Sequence, residues 1–254
     1  MLVALNNGKR VFASQAKRKE QYLCPHCHSQ VVPHLGTKVI HHFKHKPGAT
    51  CTYKSESIEH LKAKEIVFKA LTARGLQAQV EAYVSTLSPF GNRIADILVT
   101  SPNGAKVAIE LQKTNITEND IIKRSKAYAD ANINSLWIPF APPKLSKELA
   151  GEKGYCHIEK LSATQLMQWL DKIHQDRAWI YDPSSQMFWK YELSHHLLYV
   201  ESTDFGGGYF KRSKRWHDVS FYGPYKISDL KIKKANLKKI PATEYQLASL
   251  IRSE

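Results

Sequence analysis

Residues 93–100 have the sequence RIADILVT, residues 105–112 have the sequence AKVAIELQ, and the segment SPNG joins them. Both runs are rich in Ile, Val, Leu and Ala, which favour β-strands. The Asn-Gly pair between them favours the positive φ angles of a tight turn. The pattern therefore predicts a β-hairpin in an otherwise apolar sheet.

Both predicted strands contain acidic residues where a buried strand should have none. Asp96 interrupts the first run, Glu110 interrupts the second, and Gln112 shares a face with Glu110 because side chains alternate along a strand. If Asp96 lies on the same face, two carboxylates and an amide converge. Such carboxylates repel one another unless they bind a cation, and their oxygen atoms suit magnesium or manganese. The alternative is that both acids lie on the solvent face of an edge hairpin.

The chain has 254 residues, enough for two domains, and carries a net charge of +14 from 37 basic and 23 acidic residues. An excess of this size predicts a polyanionic partner, most commonly nucleic acid. A membrane surface or merely a solvated basic surface are the alternatives. No apolar run reaches the roughly 18 residues of a membrane span, and the first residues lack a signal-peptide core. We therefore expect a cytoplasmic protein.

A second candidate metal site lies near the start of the chain. Cys24 and Cys27 form a Cys-x-x-Cys turn, and a tetrahedral zinc ion needs two more ligands from the segment around residues 42–51. We expect these to be His45 and Cys51, with His42 as the substitute for either. The zinc would be structural, because a segment of about 50 residues buries too small a hydrophobic core to be stable without such a metal site. A redox pair or a disulfide is the alternative. Cys156 is expected to be a packing residue.

The order of predicted elements after residue 55 is helix, three strands, helix, strand, which makes a mixed sheet flanked by helices. The helices span residues 55–75, with Ser55 or Ser57 as the cap, and 118–132. Strands at 78–87 and 133–140 flank the opening hairpin in sequence. Along the first helix Glu56, His60 and Lys64 form one row, which is either a solvated charged row or part of a site.

The C-terminal part of the chain is basic and aromatic. A polar connector over residues 143–154 is followed by a helix at 161–175, a hairpin at 179–191, a Gly206–Gly208 hinge, and basic segments at 211–216 and 231–239. Basic residues interleaved with Trp and Tyr suit contact with phosphates and stacking on bases. Alternatively, the aromatic residues form the core of a small β module. We divide the chain into residues 1–54, 55–142 and 155–254.

Several short motifs occur in a fixed order over roughly residues 20–140, and together they resemble the competence protein CoiA family, predicted nucleases of the PD-(D/E)xK superfamily. The motifs are Cys24-Pro25-x-Cys27, His42-Phe43-x-His45-Lys46 with Cys51, Glu56-Ser57-x-Glu59-His60-Leu61-x-x-Lys64, Ala95-Asp96-Ile97, Ala108-x-Glu110-x-Gln112, and Arg124-x-x-x-Tyr128 followed by a strand with Trp137.

The resemblance implies an α/β fold with a restriction-endonuclease-like core of order αβββαβ. An N-terminal zinc-ribbon-like module precedes this core, and a basic α+β region follows it. It also implies that Asp96 and Glu110 hold a catalytic Mg²⁺ or Mn²⁺. Gln112 stands where the superfamily usually has Lys, so it can orient a water molecule but adds no positive charge. Lys64 or a DNA-neutralising lysine would compensate.

The first-helix acid of this site is one of Glu56, Glu59 and Glu65, and we favour Glu59 together with His60. The expected function is a metal-dependent DNA nuclease that processes DNA during competence or recombination. Two alternatives remain. One is a non-catalytic DNA-binding module on a nuclease fold. The other is a zinc-stabilised scaffold for recombination or DNA-processing proteins.

Overall fold

The computed structural model describes residues 1–51, 56–174, 178–202 and 206–229. Contacts divide the chain into two compact units, residues 1–111 with 124–136, and residues 112–123 with the chain from 137 onward. The predicted basic segment 231–239 and the candidate cap Ser55 lie outside the described residues. The division into three domains at residues 54, 142 and 155 stays a prediction.

The first unit begins with a five-stranded antiparallel sheet. Its strands are β1 (Val3–Asn6), β2 (Lys9–Phe12), β3 (Tyr22–Leu23), β4 (Gln30–His34) and β5 (His42–His45), in the order β2-β1-β3-β4-β5, with a short 3-10 helix at Ala13–Gln15. The sheet has a small core that includes Met1, Ala4, Tyr22, Val31 and Phe43. So few buried apolar side chains contribute limited stability.

The next elements are α1 (Ile58–Ala73), β6 (Gln77–Val84), β7 (Arg93–Thr100), β8 (Lys106–Gln112), α2 (Glu118–Asp130) and β9 (Ile133–Pro139). The sheet order is β6-β7-β8-β9, and β6 with β7 and β7 with β8 are antiparallel. The order of helix, three strands, helix, strand is therefore confirmed, and the architecture is mixed α/β.

Local sequence explains where α1 begins and ends. The side chain of Ser57 accepts a hydrogen bond from His60 N (3.3 Å), which is a helix N-cap, and Gly75 follows the helix with φ +75°. Leu61, Val67 and Leu71 are buried on its packed face.

The β7–β8 connection differs in one respect from the predicted tight turn with positive φ angles at the Asn-Gly pair. Only Gly104 has a positive φ (+82°), whereas Asn103 does not. The Oδ1 atom of Asn103 instead accepts a hydrogen bond from Ala105 N (3.3 Å), and Ser101 N donates to Ala105 O (2.8 Å). The asparagine therefore closes the loop with its side chain rather than with a left-handed backbone.

The second unit is built on a four-stranded antiparallel sheet of order β10-β13-β12-β11. Its elements are α3 (Pro143–Glu148), β10 (Gly154–Leu161), α4 (Gln165–His174), β11 (Ala178–Asp182), β12 (Met187–Glu201), β13 (Gly208–Tyr225) and a 3-10 turn at Ile227–Asp229. The hydroxyl of Tyr191 donates to Met167 O (3.0 Å) and ties β12 to α4. Trp189, Tyr191 and Phe221 are buried in this core.

Two predictions for this unit were wrong, and a third, the helix at 161–175, is confirmed as α4 apart from its first residues. The polar connector contains the helix α3, whose Leu145 is fully buried, and strand β10 follows it unpredicted. The predicted helix at 161–175 begins only at Gln165, because Leu161 is the last residue of β10. The Gly206–Gly208 segment is not a hinge, since Gly208 pairs with Glu201 in the β12–β13 hairpin and Ser202 N donates to Gly207 O (2.8 Å).

None of the helices in the described ranges is both long and apolar enough to cross a membrane.

Candidate metal centres

Four predicted zinc ligands lie together in the first unit. The ligand atoms of Cys24, Cys27, His45 and Cys51 all lie within 4.8 Å of one another. The Sγ atom of Cys27 is 3.4 Å from Nε2 of His45. All cysteines of the chain are free thiols. A group of three thiols and one imidazole can hold a metal ion, and its ligand types suit tetrahedral zinc.

The local backbone explains why these residues meet. Cys24 lies at the start of a tight turn in which Cys24 N donates to Ser29 O (2.8 Å) and His28, with φ 56°, donates from its N to Cys24 O (3.0 Å). Strand pairing then places His45 opposite Val31, directly after the turn. The turn thus aims Cys24 and Cys27 toward the strand that carries His45.

The two thiols of the turn have different acidities. Burial raises the pKa of Cys24 to about 12. Burial acts in the same direction on Cys27, but hydrogen bonds involving Ser29 together with Cys51 and His45 lower the pKa of Cys27 to about 6. A metal cation at this site would favour the thiolate form of both.

His42, the substitute ligand, is not part of this group. Its Nδ1 atom lies 2.9 Å from Ile40 O, and its ring stacks on His34 with a centroid distance of 5.1 Å.

The second centre starts from three acids on adjacent strands. The β6–β7 register pairs Val80 with Ile97 and Ala82 with Ala95, which places Glu81 opposite Asp96. The β7–β8 register pairs Ile97 with Ile109, so Asp96 and Glu110 are the next positions along it. Facing positions of neighbouring strands hold their side chains close together. The sheet therefore carries a row of three carboxylates across β6, β7 and β8.

Helix α1, together with Glu56 just before its N-cap, supplies the groups that contact this row. His60 lies between two carboxylates, with Nδ1 3.2 Å from Glu56 Oε1 and Nε2 3.0 Å from Asp96 Oδ2. One turn further along the helix, Lys64 Nζ donates to Glu56 Oε2 (2.6 Å) and to Glu81 Oε1 (2.6 Å). The row Glu56, His60, Lys64 thus faces the sheet rather than solvent, and the side chain of Lys64 is fully buried.

The acid that joins His60 is Glu56, and not the Glu59 that the sequence interpretation favoured. Glu56, His60 and Asp96 offer ligand atoms within 4.8 Å of one another. Glu59 is exposed in the first turn of α1. Glu65 forms an ion pair with Lys69 (2.7 Å) on the outer side of the helix. The physical reason lies at the start of α1: Glu56 precedes the N-cap Ser57 and its carboxylate approaches His60 from the preceding segment, whereas Glu59 stands in the first turn beside His60 and is exposed.

Charge pairing sets the ionisation of the central groups. Burial acts to raise the pKa of Asp96, but His60, Lys64 and the amide of Leu111 (N to Oδ2, 2.8 Å) hold that pKa below its usual value. Burial acts to lower the pKa of His60, yet Asp96 and Glu56 raise it. Burial likewise opposes the charge of Lys64, and Glu81 and Glu56 together raise the pKa of Lys64.

Glu110 has its own partners on α2. One carboxylate oxygen accepts from the Tyr128 hydroxyl and the other from the Arg124 guanidinium. Burial nevertheless raises the pKa of Glu110 to about 7, because Arg124 offsets only part of the desolvation and nearby Asp96 opposes a second negative charge. Glu110 is thus poised near neutral pH.

Gln112 lies two positions beyond Glu110 at the end of β8. Its Nε2 atom donates to the carbonyl oxygen (2.8 Å) and the hydroxyl (3.1 Å) of Thr114. Lys113, the residue that follows, is exposed.

Glu81, Arg124 and Tyr128 contact the groups of this centre but had no place in the predicted site. Glu81 is fully buried with φ 52°, and its carboxylate also accepts from Leu2 N (2.8 Å) and Val3 N (3.2 Å). A single acid in an alternating strand gives no sign of this role. Arg124 and Tyr128 were visible as an i, i+4 pair, but their partner Glu110 lies on another element.

With all four carboxylates ionised and His60 neutral, the cations Lys64, Arg124 and the Met1 ammonium, which lies 4.0 Å from Glu56, leave the centre with one more negative than positive charge. An excess of negative charge among buried carboxylates favours a bound cation, and carboxylate and imidazole ligands together suit manganese and similar divalent ions.

Comparison with protein-family models identifies the family to which the chain belongs. The model described as "Competence protein CoiA, nuclease-like domain" matches residues 56–216, and that described as "Competence protein CoiA, N-terminal domain" matches residues 5–54. The chain belongs to the competence protein CoiA family. The cysteine cluster lies within the CoiA N-terminal domain, and the Glu56–His60–Asp96 group lies within the CoiA nuclease-like domain. Comparisons with curated proteins and with solved structures gave no match.

Proposed function

We propose that this chain is a metal-dependent deoxyribonuclease with a restriction-endonuclease-like core, which hydrolyses phosphodiester bonds during competence or recombination. The observation that carries the proposal is the group formed by Glu56, His60 and Asp96, with Glu110 next to Asp96 on the adjacent strand. The family's nuclease-like description and the element order α1-β6-β7-β8-α2-β9 support it.

The residues that would hold Mg²⁺ or Mn²⁺ are Asp96 and Glu110, together with Glu56 or His60. When bound, such an ion supplies a Lewis acid that activates water and offsets charge on the phosphate oxygens. The protein's own contribution is to keep this ligand set in place. Lys64 holds Glu56, and the amide of Leu111 holds Asp96.

The missing lysine of the superfamily motif needs a substitute, and Lys64 is poorly suited to be that substitute. Its ammonium group is fully buried between Glu56 and Glu81 and has no room to approach a phosphate. Arg124 is 30 % exposed while it touches Glu110. We propose that Arg124 supplies the positive charge near the scissile phosphate and that Gln112 orients water.

The direct test is cleavage of DNA by the purified chain with Mn²⁺ or Mg²⁺. We expect the wild type to cut, and Asp96→Asn to lose at least about 100-fold of the activity, since it removes a ligand charge. Glu118→Gln, an exposed acid in the first turn of α2, is the matched control and should cut normally. The proposal fails if Asp96→Asn cuts as fast as Glu118→Gln while both remain folded.

A non-catalytic DNA-binding protein is the second candidate. The burial of Lys64 and the pairing of the Gln112 amide with Thr114 favour it, because neither group is then available to the phosphate. This candidate predicts salt-dependent DNA binding with no cleavage under any divalent metal, and binding that Asp96→Asn leaves intact or strengthens.

A further inference from the structure

The far end of the β12–β13 hairpin is a two-stranded ribbon. The last pair of β10 with β13 is Leu161 with His217, and β11 pairs with β12 only as far as Tyr191. Beyond these points residues 197–201 pair with residues 208–212. In the described part of the chain no third strand pairs with this segment or with the adjoining residues 213–215, and we call residues 197–201 and 208–215 together the distal ribbon. A two-stranded hairpin is only marginally stable alone, so this extension adds little to the stability of the core and suggests a role in binding.

The distal ribbon exposes aromatic side chains. Tyr199 and Phe210 face each other across the strands, with ring centroids 5.3 Å apart, and are 54 % and 67 % exposed. Tyr209 on the opposite face is 58 % exposed. Folding leaves these rings in water although burial of each would be favourable. The rest of this sheet buries its aromatic residues, as Trp189, Tyr191 and Phe221 show.

Positive charge is concentrated beside these rings. Lys211, Arg212, Lys214 and Arg215 are all exposed, and none makes an ion pair within the described ranges. Ser213 interrupts the run, and its Oγ atom accepts from Arg215 N (3.2 Å) and Trp216 N (2.9 Å). The β12–β13 register shifts at this point, and the guanidinium of Arg215 lies over the Trp216 ring at 4.5 Å. Four cations against one acid, Glu201, in the described part of the ribbon, together with the exposed rings, form a surface complementary to a phosphate backbone with accessible bases.

We propose that the distal ribbon is an arm that binds single-stranded DNA, with Lys211, Arg212, Lys214 and Arg215 on the phosphates and Tyr199 and Phe210 stacked on unpaired bases. The inference deepens the proposed function by naming the form of the substrate, and to that extent rests on it. The exposed apolar side chains favour bases over a bilayer, because they are mainly flat rings at facing positions and Leu197 is the one large aliphatic side chain among them at 53 % exposure. The four cations follow Phe210 along β13 from Lys211 toward the sheet, so one strand of nucleic acid that runs along β13 can reach the rings and the basic side chains.

The test uses the full chain and a fluorescein-labelled 30-nucleotide DNA, single-stranded or as a duplex, with binding followed by anisotropy at several salt concentrations without divalent metal. Changing the four ribbon cations to Gln should lower the log–log salt slope by about 2 to 3, at roughly 0.7 per lost phosphate contact. The matched control removes four exposed lysines elsewhere, Lys19, Lys144, Lys147 and Lys153, each changed to Gln. It should alter the slope by less than about 1.

A second variant isolates the rings. Tyr199→Ser with Phe210→Ser should weaken single-strand binding by about tenfold or more, since each stacked base contributes on this scale, and change duplex binding by less than about threefold. All altered side chains are exposed, so the melting temperatures should match that of the wild type. The proposal is overturned if the ribbon variants bind like the lysine control, or if the ring variant loses single-strand and duplex binding equally.

A sedimentation assay with phosphatidylserine vesicles addresses the bilayer alternative. Ribbon-dependent binding to vesicles with unchanged DNA binding would overturn the proposal. Because no divalent metal is present, a chain that never cuts DNA can still pass this test. Normal cleavage by ribbon variants with unchanged binding would reject the arm and leave the proposed nuclease standing.

Discussion

Glu81 and Lys64 form a fully buried ion pair that links β6 to α1 (Nζ to Oε1, 2.6 Å). The carboxylate also accepts two backbone amides from residues 2 and 3, so it joins three segments of the first unit. Its φ of 52° is a costly conformation for a residue with a Cβ atom, by about 1 kcal/mol or more. Strain of this kind is retained where the side chain must point in one particular direction.

Removing this carboxylate should destabilise the fold. Glu81→Gln removes one of the two carboxylates that neutralise the buried charge of Lys64. We expect the free energy of unfolding to fall by about 3 kcal/mol in urea titrations at pH 7. Glu65→Gln is the matched control, because its partner Lys69 lies at the surface, and it should change stability by less than about 0.5 kcal/mol. Equal losses in the two variants would contradict a structural role for the buried pair.

The same pair predicts an acid dependence of stability. Burial acts to raise the pKa of Glu81, but Lys64 lowers it to about 2 from the ordinary value of 4.5. A depressed pKa in the folded state contributes stability that is complete above pH 4.5 and is lost as pH falls toward 2. Between pH 5 and 2.5 the wild type should therefore lose more stability than Glu81→Gln. Parallel curves for the two proteins would show that Glu81 does not titrate in this way.

Glu56, just before the N-cap of α1, and Glu59, in its first turn, allow a direct comparison of two nearby acids at the candidate site. Glu56→Gln should weaken Mn²⁺ binding at least about tenfold in calorimetric titrations, since Glu56 lies 3.2 Å from His60 in the ligand group. Glu59→Gln should bind Mn²⁺ as the wild type does, because Glu59 is exposed. The assignment is wrong if the two variants show the reverse order.

Helices and strands were easiest to predict from the sequence where a local signal, either hydrophobic periodicity or a capping residue, marks them. The alternation of residues 93–100 and the cap at Ser57 identified β7 and α1 because both signals are local. The choice of acid beside His60 was not local. It depends on which side of α1 packs on the sheet, and burying Lys64 requires Glu81 from β6. A lysine in mid-helix ordinarily indicates a solvent-facing position.

The second unit shows the opposite case. Residues 143–148 contain three lysine or acidic side chains in six residues, so they suggested a connector, yet Leu145 is fully buried in the core of this unit. Strand β10 has a mixed pattern because much of it is exposed and its pairing with β13 shifts register between Ile158 and Leu161. Pairing over some 60 residues of sequence stabilises such a strand, and periodicity alone does not reveal it.

The N-terminal sheet should depend on its cysteine cluster. Because its core is small, we expect Cys51→Ser to release the bound metal and to lower the melting temperature of the module by 10 °C or more, since structural zinc contributes directly to folding. Cys156→Ser, outside the cluster, is the control and should retain one zinc per chain by plasma mass spectrometry. A Cys51→Ser protein with full zinc content would exclude Cys51 as a ligand.

The net charge of +14 over the whole molecule is typical of a protein with a nucleic acid partner. Four of the positive charges lie on the distal ribbon. The four-acid centre has the opposite sign. DNA, a polyanion, can therefore approach this centre only when the centre holds a cation, so DNA cleavage here depends on metal binding. Without a bound cation, the negative charge of the centre would repel the phosphate group of the DNA.

Anomalous diffraction from a crystal soaked with Mn²⁺ tests this account most directly. We predict one strong manganese peak at coordination distance from Asp96 and from at least one of Glu56, His60 and Glu110, and no such peak in Asp96→Asn soaked in the same way. A wild-type crystal with manganese elsewhere and none at Asp96, under conditions in which DNA is cut, would contradict the assignment of this centre as the catalytic site.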